Sequence, residues 1–503
     1  AIRRQRQMCI RDRILQGADM SDKQFFEREI QKWKNSPQRI MQIKGHLYYD
    51  NEHDILHRKR MMIGEGGKLE EVDNLPNNRL IDNQYAKLVN QKANYLLGQP
   101  FAIEGENQQY VELLKKVFNK RFMKTLKAAG KAMLNNGICW LYPYYTETGE
   151  FSFRMFPGYE VLPFWKDTEH TILEAAVRLY LVVGYQGTTP VLIEKVEIYD
   201  LNGVHRFILD GSTLIPDLQG VDDNTSPYTT TTGEDGNTLP LNWAKVPLIP
   251  LKYNECEIPL LKKVKTLQDG INVMLSDFEN NMQEDARNTI LVLKNYEGTN
   301  LGEFRKNLAT YGAVKVRYDG ETKGGVETLE IKVNAENYKA IIEIFKKAII
   351  ENGMGYDAKD DRLSGNPNQM NIQSMYSDID LDANGIEMEF QASMEELLWF
   401  INKHLANTGG RSFEGEDVTV IFDRDVLINE TEAINNCKNS VGILSDETIV
   451  KMHPWVTDPE QELQRIKDEK EEAMQADPYQ AAFLANRNQP PVNNEGGGDG
   501  KTD

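Results

Sequence analysis

Three features are scarce in this sequence of 503 residues: basic side chains, cysteines and long apolar runs. Lysine and arginine number 58 against 77 acidic residues, a net charge of −19, which argues against simple phosphate-neutralising nucleic-acid binders and against docking on anionic membranes. The four cysteines lie far apart with no CxxC pair, which excludes a zinc ribbon and a dense disulfide framework and fits a reducing cytosol. No apolar run approaches the roughly 18–20 residues of a membrane-spanning helix, so no membrane partner is expected.

The remaining composition is that of a folded protein. Hydrophobic residues make up 40% of the chain and charged residues 27%, proportions that are typical of soluble domains. A chain of this length predicts either several modules or one elongated subunit with insertions, because domains usually contain about 100–200 residues.

The two ends of the chain differ from its middle. Residues 1–19 contain five arginines, and the string RRQRQMCIRDR resembles a translated sequencing adapter, whereas Met20 opens an ordinary reading frame. We therefore expect residues 1–19 to be a non-native extension and leave them out of functional reasoning. Residues 481–503, which end in the polar, glycine-rich run PPVNNEGGGDGKTD, are predicted to be a disordered tail.

The first half of the chain predicts helices followed by strands. Apolar residues recur at helical spacing over 83–97 and 111–134. Alternating aromatic and β-branched residues then predict strands up to residue 255, interrupted by a polar loop over 219–240. The predicted fold class is therefore α+β.

Two long amphipathic helices follow, with a small insertion between them. The first is predicted over 259–287 and the second over 334–351, each with a narrow apolar stripe. The intervening strings TILVLKNY, GAVKVRY and VETLEIKV predict strands. The stripes include Leu260, Val264, Leu267, Ile271, Met274 and Phe278 in the first helix, and Ile341 and Phe345 in the second.

A polar, glycine-rich loop over 353–368 comes after the second long helix, and it is too long for a simple connector. Another helix is predicted over 369–404, with an interruption at Asn384-Gly385. The strand VTVIFD and a helical C-terminal region complete the chain, and the strings SDET and TDPE mark the starts of two of its helices.

Two local patterns resemble metal sites. His53 and His57 have the i, i+4 spacing of zinc ligands, but Asp54 stands where a zinc protease has glutamate, and basic residues follow His57. The run DLDANG (380–385) matches the first six positions of an EF-hand loop, but position twelve is Gln391 instead of glutamate. A helix break is favoured over calcium binding there, and no metal or other cofactor is predicted.

Other catalytic motifs are missing from the sequence. It has no GxxxxGK[ST] phosphate loop, no GxSxG nucleophile elbow, and no cysteine with a recognisable histidine partner. We therefore expect that the protein is not an enzyme.

The order of these parts resembles the portal proteins of long-tailed double-stranded DNA bacteriophages, of the siphophage type. Five strings carry the resemblance: YYDNEHDILHRKR, LPNNRLIDNQYAKLVNQKANYLLGQP, VPLIPLKYNECEIPLLKKVKTLQDGINVMLSDFENNM, SGNPNQMNIQSMYSDIDLDANGIEMEFQ and LSDETIVKMHPWVTDPEQELQRIKDE. Together they extend over most of 20–474, although none of them alone is a chemical signature.

The resemblance implies an elongated subunit that closes into a ring. Its expected parts are a wing (20–255, helices and then a β-rich part), a stem (256–287 and 334–352), a clip (288–333), a tunnel loop (353–368), a tunnel helix with a wing strand (369–430) and a helical crown (431–480).

The resemblance also implies the function of a head–tail connector. About twelve copies would form a ring at one capsid vertex, nucleate procapsid assembly and pass double-stranded DNA during packaging and ejection. The other expected partners are the terminase large subunit, the head–tail adaptor, and the scaffolding and major capsid proteins, with assembly in the host bacterial cytoplasm and a final location in the virion.

Two groups of residues receive expected roles from the resemblance. The tunnel-loop residues expected near DNA are Lys359, Arg362, Asn366 and Asn368. The stem stripe given above, from Leu260 to Phe345, is expected at the interface between subunits. Two alternatives stay open at this point: a metal-dependent hydrolase that uses His53 and His57, and another minor head protein of the virion.

Overall fold

The computed structural model divides the chain into two compact units, Ala1–Asp357 with Tyr376–Asp425, and Ala358–Met375 with Val426–Asp503. The residues that it describes are 23–63, 67–73, 75–217, 224–232, 237–285, 290–294, 300, 302, 325–329, 335–359, 368–409, 411–424, 429–456 and 458–476. The non-native extension and the tail predicted from the sequence lie outside these residues.

The helices of the described chain are α1 (Lys23–Lys34), α2 (Pro37–Tyr49), α3 (Gln84–Leu97), α4 (Gln108–Val117), α5 (Lys120–Asn136), α6 (Leu261–Asp285), α7 (Ala335–Asn352), α8 (Gln369–Gly409), α9 (Glu430–Asn439), α10 (Asp446–Met452) and α11 (Pro459–Ala476). In the described residues, short 3₁₀ turns lie at Asp54–His57 and Gly158–Glu160. Among the residues that the structure describes, none of the helices combines the length and the apolar character that crossing a membrane requires.

The strands are β1 (Met61–Ile63), β2 (Leu69–Glu71), β3 (Ala102–Gly105), β4 (Ile138–Tyr145), β5 (Phe151–Pro157), β6 (Val161–Trp165), β7 (Leu173–Gln186), β8 (Thr189–Asp200), β9 (Gly203–Asp210), β10 (Thr213–Pro216), β11 (Thr225–Ser226), β12 (Thr229–Thr232), β13 (Thr238–Leu241), β14 (Ile249–Lys252), β15 (Ile290–Lys294), β16 (Gly325–Leu329) and β17 (Val418–Ile421). Helices together with antiparallel sheets confirm the α+β class.

Antiparallel pairing organises the first unit. Its largest sheet has the order β10-β9-β8-β7-β6, with β11 paired to β9, and a smaller sheet has the order β14-β4-β5. Strand β17 pairs with β3, so that the chain returns from residue 421 to the N-terminal region. The main apolar core lies among α3, α5, α8 and the start of α6. A second core packs Phe26, Ile30 and Trp33 of α1 against the larger sheet.

Side-chain caps define the helix starts in the second unit. The Ser445 hydroxyl accepts a hydrogen bond from the amide of Thr448 at 3.3 Å and begins α10, where the sequence predicts a helix start. In the same way, Asn429 accepts from the amide of Glu432 and begins α9. Helix α11 begins at Pro459, a residue that suits the first turn because it has no amide hydrogen to leave unpaired.

Two predictions about local structure are wrong. The predicted break at Asn384-Gly385 is absent, because α8 runs through it with Ile386 and Phe390 buried in the main core, and this packing outweighs the weak helix propensity of glycine. Part of the predicted polar loop over 219–240 is a hairpin of β12 and β13, in which Thr230 pairs with Pro240. Two of the strands predicted between the long helices are present as β15 and β16, while GAVKVRY lies outside the described residues.

Candidate functional site

The two long helices α6 and α7 pack against each other. Gly270 makes the close approach possible, since a Cβ atom at this position would lie 2.8 Å from the ring of Phe345. Further along, the rings of Phe278 and Tyr338 are 5.2 Å apart between centroids. The side-chain amide of Asn281 also donates to the Tyr338 hydroxyl at 3.1 Å. Contacts from 270 with 345 to 281 with 338 show that the helices run antiparallel.

Part of the predicted interface stripe lies inside the subunit. Leu260, Val264 and Ile271 are each 0% exposed, and all three belong to the main core of their own chain. They have no surface to offer a neighbouring subunit, so their expected place at the interface needs correction. The stripe indicates which face of the helix is buried, but at these three positions the main core of the same chain buries it.

The remaining stripe residues keep some exposed surface. Leu267, Met274, Phe278 and Phe345 are half-buried, and Ile341 is exposed. Other apolar side chains, absent from the expected interface, are exposed on these helices to a similar or greater degree. They are Val273 (36%), Met282 (51%) and Ile344 (63%).

A ladder of polar side chains occupies another face of α6. Gln268, Asn272, Ser276 and Asn280 follow one another every four residues, and each is 0% exposed. Their spacing places them in one row along the helix, about 6 Å apart. Wholly buried amide and hydroxyl groups need hydrogen-bond partners. For the side-chain oxygens of the ladder, the partners are found in the segment 78–85, which runs alongside.

The ladder binds the backbone of that segment at nearly every second residue. Its side-chain oxygens accept hydrogen bonds from the amides of Asn78 (Asn280, 2.7 Å), Leu80 (Ser276, 2.9 Å), Asp82 (Asn272, 3.2 Å) and Tyr85 (Gln268, 3.0 Å). The Gln268 amide also donates to the carbonyl of Asp82 at 2.8 Å. The long helix therefore serves as the pairing partner of an extended segment. The sequence signal for this feature is four polar residues at a spacing of four, which was not recognised as a binding surface for backbone.

Charged side chains hold a further side of α6. The Lys265 ammonium group lies 2.8 Å from Asp54 and 2.6 Å from Asp269, and the Tyr48 hydroxyl donates to Asp269 at 2.6 Å. Burial raises the pKa of Asp54, but hydrogen bonds from Lys265 and Lys44 outweigh it and lower this pKa to about 2. Asp54 is therefore ionised at neutral pH and ties the 3₁₀ turn to the helix.

The two histidines of the alternative zinc site do not come together. His53 precedes the 3₁₀ turn, which ends at His57, so the two do not share an α-helical face. Both ring nitrogens of the buried His53 are engaged: Nδ1 accepts from Asn272 at 2.8 Å, and Nε2 lies 3.0 Å from the carbonyl of Tyr48. Within the described part of the chain, no group of three or more histidine, cysteine or acidic residues is placed to hold an ion.

The EF-hand-like run also has another role. Its residues lie on α8 and not in a loop, and each acidic group faces a partner within the first unit. Asp380 accepts from Arg424 at 2.9 Å and is also bound to the Tyr95 hydroxyl. Asp382 lies 2.6 Å from the Lys92 ammonium group. These contacts account for the acidic run without calcium.

The predicted DNA-facing residues are only partly described. Lys359 and Asn368 are exposed and belong to the second unit. Arg362 and Asn366 lie outside the described residues. The described residues 353–357, at the start of the predicted loop, belong to the first unit and follow α7 directly.

Comparison with known proteins identifies a matching protein family and similar individual proteins. The family profile described as "Phage portal protein, SPP1 Gp6-like" matches residues 27–476. The portal protein of Bacillus phage SPP1 is 29% identical over 430 residues, which cover 85% of this chain and 83% of that protein. The portal protein of Clostridium phage phiCD119 is 26% identical over 450 residues, covering 86% and 93% respectively.

Among solved structures, the chain is similar to one from the neck of a native GTA particle computed with C12 symmetry. The match covers 73% of this chain and 88% of that chain, at 12% identity and a TM-score of 0.38. This similarity is too low to support any argument about function.

Proposed function

The chain belongs to the SPP1 Gp6-like family of phage portal proteins, structural components of the virion, and from this premise we propose that it forms the DNA-conducting ring of a capsid vertex. The ring would contain about twelve copies, nucleate procapsid assembly, and admit and release double-stranded DNA. Its proposed partners are the terminase large subunit, then the head–tail adaptor, with scaffolding and major capsid proteins during assembly in the host cytoplasm. No catalytic step and no cofactor belong to this proposal.

One observation supports ring formation above the others. The long helices α6 and α7 are covered by their own chain on some faces, yet they expose the apolar side chains of Val273, Met282, Ile341 and Ile344. Apolar side chains exposed in series along packed helices are typical of surfaces that bind another protein. We therefore propose that these four residues, together with the half-buried Leu267, Met274, Phe278 and Phe345, contact the neighbouring subunit.

The net charge of the chain favours a channel through which DNA passes over a site that binds DNA tightly. The net charge of −19 becomes −22 per subunit without residues 1–19, and repeated around a ring it would repel DNA phosphates, so that DNA can slide without being held. Within this proposal, Lys359, Arg362, Asn366 and Asn368 lie near the DNA and guide it. Their role is positional, and their sequence-independent contacts would be weak.

The experiment is a comparison of three full-length proteins by native mass spectrometry and negative-stain microscopy. The wild type should form rings with a central hole, and Ile344→Asp should remain folded but monomeric. Leu192→Asp, at an exposed apolar residue of β8 away from both helices, is the matched control and should form rings. A wild type that stays monomeric would contradict the proposal. Substitutions at Val264 or Ile271 are unsuitable, because they would unfold the subunit before testing its interface.

A further inference from the structure

The segment 353–357, which we call the loop root, is fitted closely onto helix α3. A Cβ atom added to Gly353 or Gly355 would lie 2.3 Å or 2.5 Å from the Leu88 side chain, so a larger residue at either position would displace Leu88. Between them, Met354 has a φ of 53°, a left-handed conformation that is uncommon for residues with a side chain. The fold thus maintains a strained, tightly packed conformation where the chain leaves α7.

Gln91 of α3 binds the loop root through both ends of its side-chain amide. Its Nε2 donates to the carbonyl of Tyr356 at 2.7 Å, and its Oε1 accepts from the amide of the same residue at 3.2 Å. A neighbouring β-strand would satisfy a backbone in the same two-sided way. One side chain therefore fixes both the position and the orientation of the peptide groups of Tyr356.

Lys92, the next residue of α3, holds the root at a second point. Its ammonium group donates to the carbonyl of Met354 at 3.0 Å and pairs with Asp382 of α8 at 2.6 Å. The two side chains are 1% and 9% exposed. Asp382 also accepts from the Tyr253 hydroxyl at 3.2 Å and lies 4.0 Å from Lys263 of α6. A single buried ion pair thus connects the loop root to α3, α6 and α8.

Aromatic rings close the other side of the root. Tyr356 packs on Tyr376 with 4.5 Å between ring centroids, and Tyr376 stacks on Tyr95 at 5.7 Å. Tyr95 and Lys92 both lie on α3, and both bind acidic residues of α8. The root is therefore held between two helices that are themselves joined by charged contacts.

We propose that Gln91 and Lys92, the latter held by Asp382, are positioning residues that fix the direction in which the chain leaves α7 toward the DNA-guiding residues. The contacts that hold the loop root do not depend on the proposed function. Only their effect on the guidance of DNA rests on the proposed function. Only Ala358 separates the root from Lys359, so the orientation of Tyr356 limits where the chain can go next.

The test uses two variants of the full-length protein that remove the hold on the root without leaving a buried charge. Gln91→Leu removes both hydrogen bonds to Tyr356. The double variant Lys92→Met with Asp382→Leu replaces the ion pair with apolar side chains, an exchange that is often neutral or stabilising for the fold. Gln391→Leu is the control, because Gln391 also binds a backbone carbonyl, that of Val420, far from the root in sequence.

The first readout is amide hydrogen exchange, resolved to peptides, on assembled rings. Both test variants should form rings, and the peptide containing Gly355 and Tyr356 should exchange about tenfold faster or more, with exchange in α5 unchanged. The control should leave the root protected. Unchanged exchange at Tyr356 in Gln91→Leu would overturn the inference, whatever the variant does to stability.

The second readout is the passage of double-stranded DNA through single rings held in a nanopore. Rings of the test variants should give a broader distribution of DNA dwell times than rings of the wild type or of Gln391→Leu. A faster-exchanging root with unchanged dwell times would overturn the role in guidance. A wild type that forms no rings would refute the proposed function instead, and exchange in the unassembled protein would still decide the geometry of the root.

Discussion

The side-chain amide of Asn272 donates a hydrogen bond to Nδ1 of His53 at a distance of 2.8 Å. Because an amide nitrogen can only donate, Nδ1 carries no proton, and the proton of the neutral ring lies on Nε2, directed at the carbonyl of Tyr48. The ring also stacks on Tyr48 at 4.2 Å between centroids. His53 is thus a structural link between α2 and α6, in a protonation state set by its neighbours.

The stability of the subunit should depend on this protonation state. Burial lowers the pKa of His53, although the Tyr48 carbonyl and Asp269 act in the opposite direction. The unfolded chain, with a histidine pKa of about 6.5, therefore binds a proton that the folded chain refuses, and stability falls as pH drops below that value. His53→Gln should flatten this decline between about pH 7 and pH 5, measured by urea unfolding. An equally steep decline in the variant would contradict the assignment.

Glu396 should give the opposite dependence on pH. Burial raises its pKa to about 7, although Lys245 and Lys252 act to lower it. The folded state then holds a proton that the unfolded state releases above about pH 4.3, so the stability contributed by this group is lost as pH rises toward 7. Glu396→Gln should stabilise the subunit at pH 8 by roughly 1–3 kcal/mol. Glu395→Gln, at the exposed neighbouring position, is the control and should change stability little.

The polar ladder predicts the effect of removing one hydroxyl. Ser276→Ala removes the hydroxyl that accepts a hydrogen bond from the amide of Leu80, and loss of this part-buried hydrogen bond should destabilise the subunit by about 0.5–1.5 kcal/mol. The same substitution at the exposed Ser212 should change the free energy of unfolding by less than about 0.5 kcal/mol. Urea unfolding of both variants measures the difference. Equal effects would show that the ladder does not support the segment 78–85.

The contact between Gly270 and Phe345 predicts a rescue. Gly270→Ala should destabilise the helix pair by about 1–3 kcal/mol, because the new methyl group meets the Phe345 ring. Phe345→Leu in the same chain should recover part of this loss by removing the ring. A double-mutant cycle on thermal unfolding measures the coupling, and purely additive losses would argue against the contact.

Periodic patterns allowed much of the fold to be predicted from the sequence. The long helices at Leu261–Asp285 and Ala335–Asn352 lie within a few residues of their predicted limits, because their apolar stripes persist over many turns. The helix starts at Ser445 and Pro459 follow from local capping chemistry. Helix limits and helix starts can be predicted from the sequence because the residues that determine them lie within a few positions.

Features with distant causes could not be predicted in this way. Asn384-Gly385 indicates a break only until Arg424, forty residues later, binds Asn384 and the adjacent core packs against the helix. The burial of Val264 follows the same rule, since the stripe does not reveal whether its own chain or a neighbour covers it. Lys92 and Asp382 are far apart in sequence, and nothing local to either residue predicts their pairing.

The polar ladder on α6 also restricts how many residues the segment alongside it can contain. Four residues of a helix advance about 6.0 Å, whereas two residues of an extended chain advance about 6.4–6.8 Å. The side chains of the ladder and the backbone amides of the segment therefore stay aligned over only a few hydrogen bonds. Inserting or deleting one residue within 78–82 would turn alternate amides away from the helix and shift every later rung. The number of residues between Asn78 and the start of α3 is therefore constrained by a side-chain repeat on a helix nearly two hundred positions away.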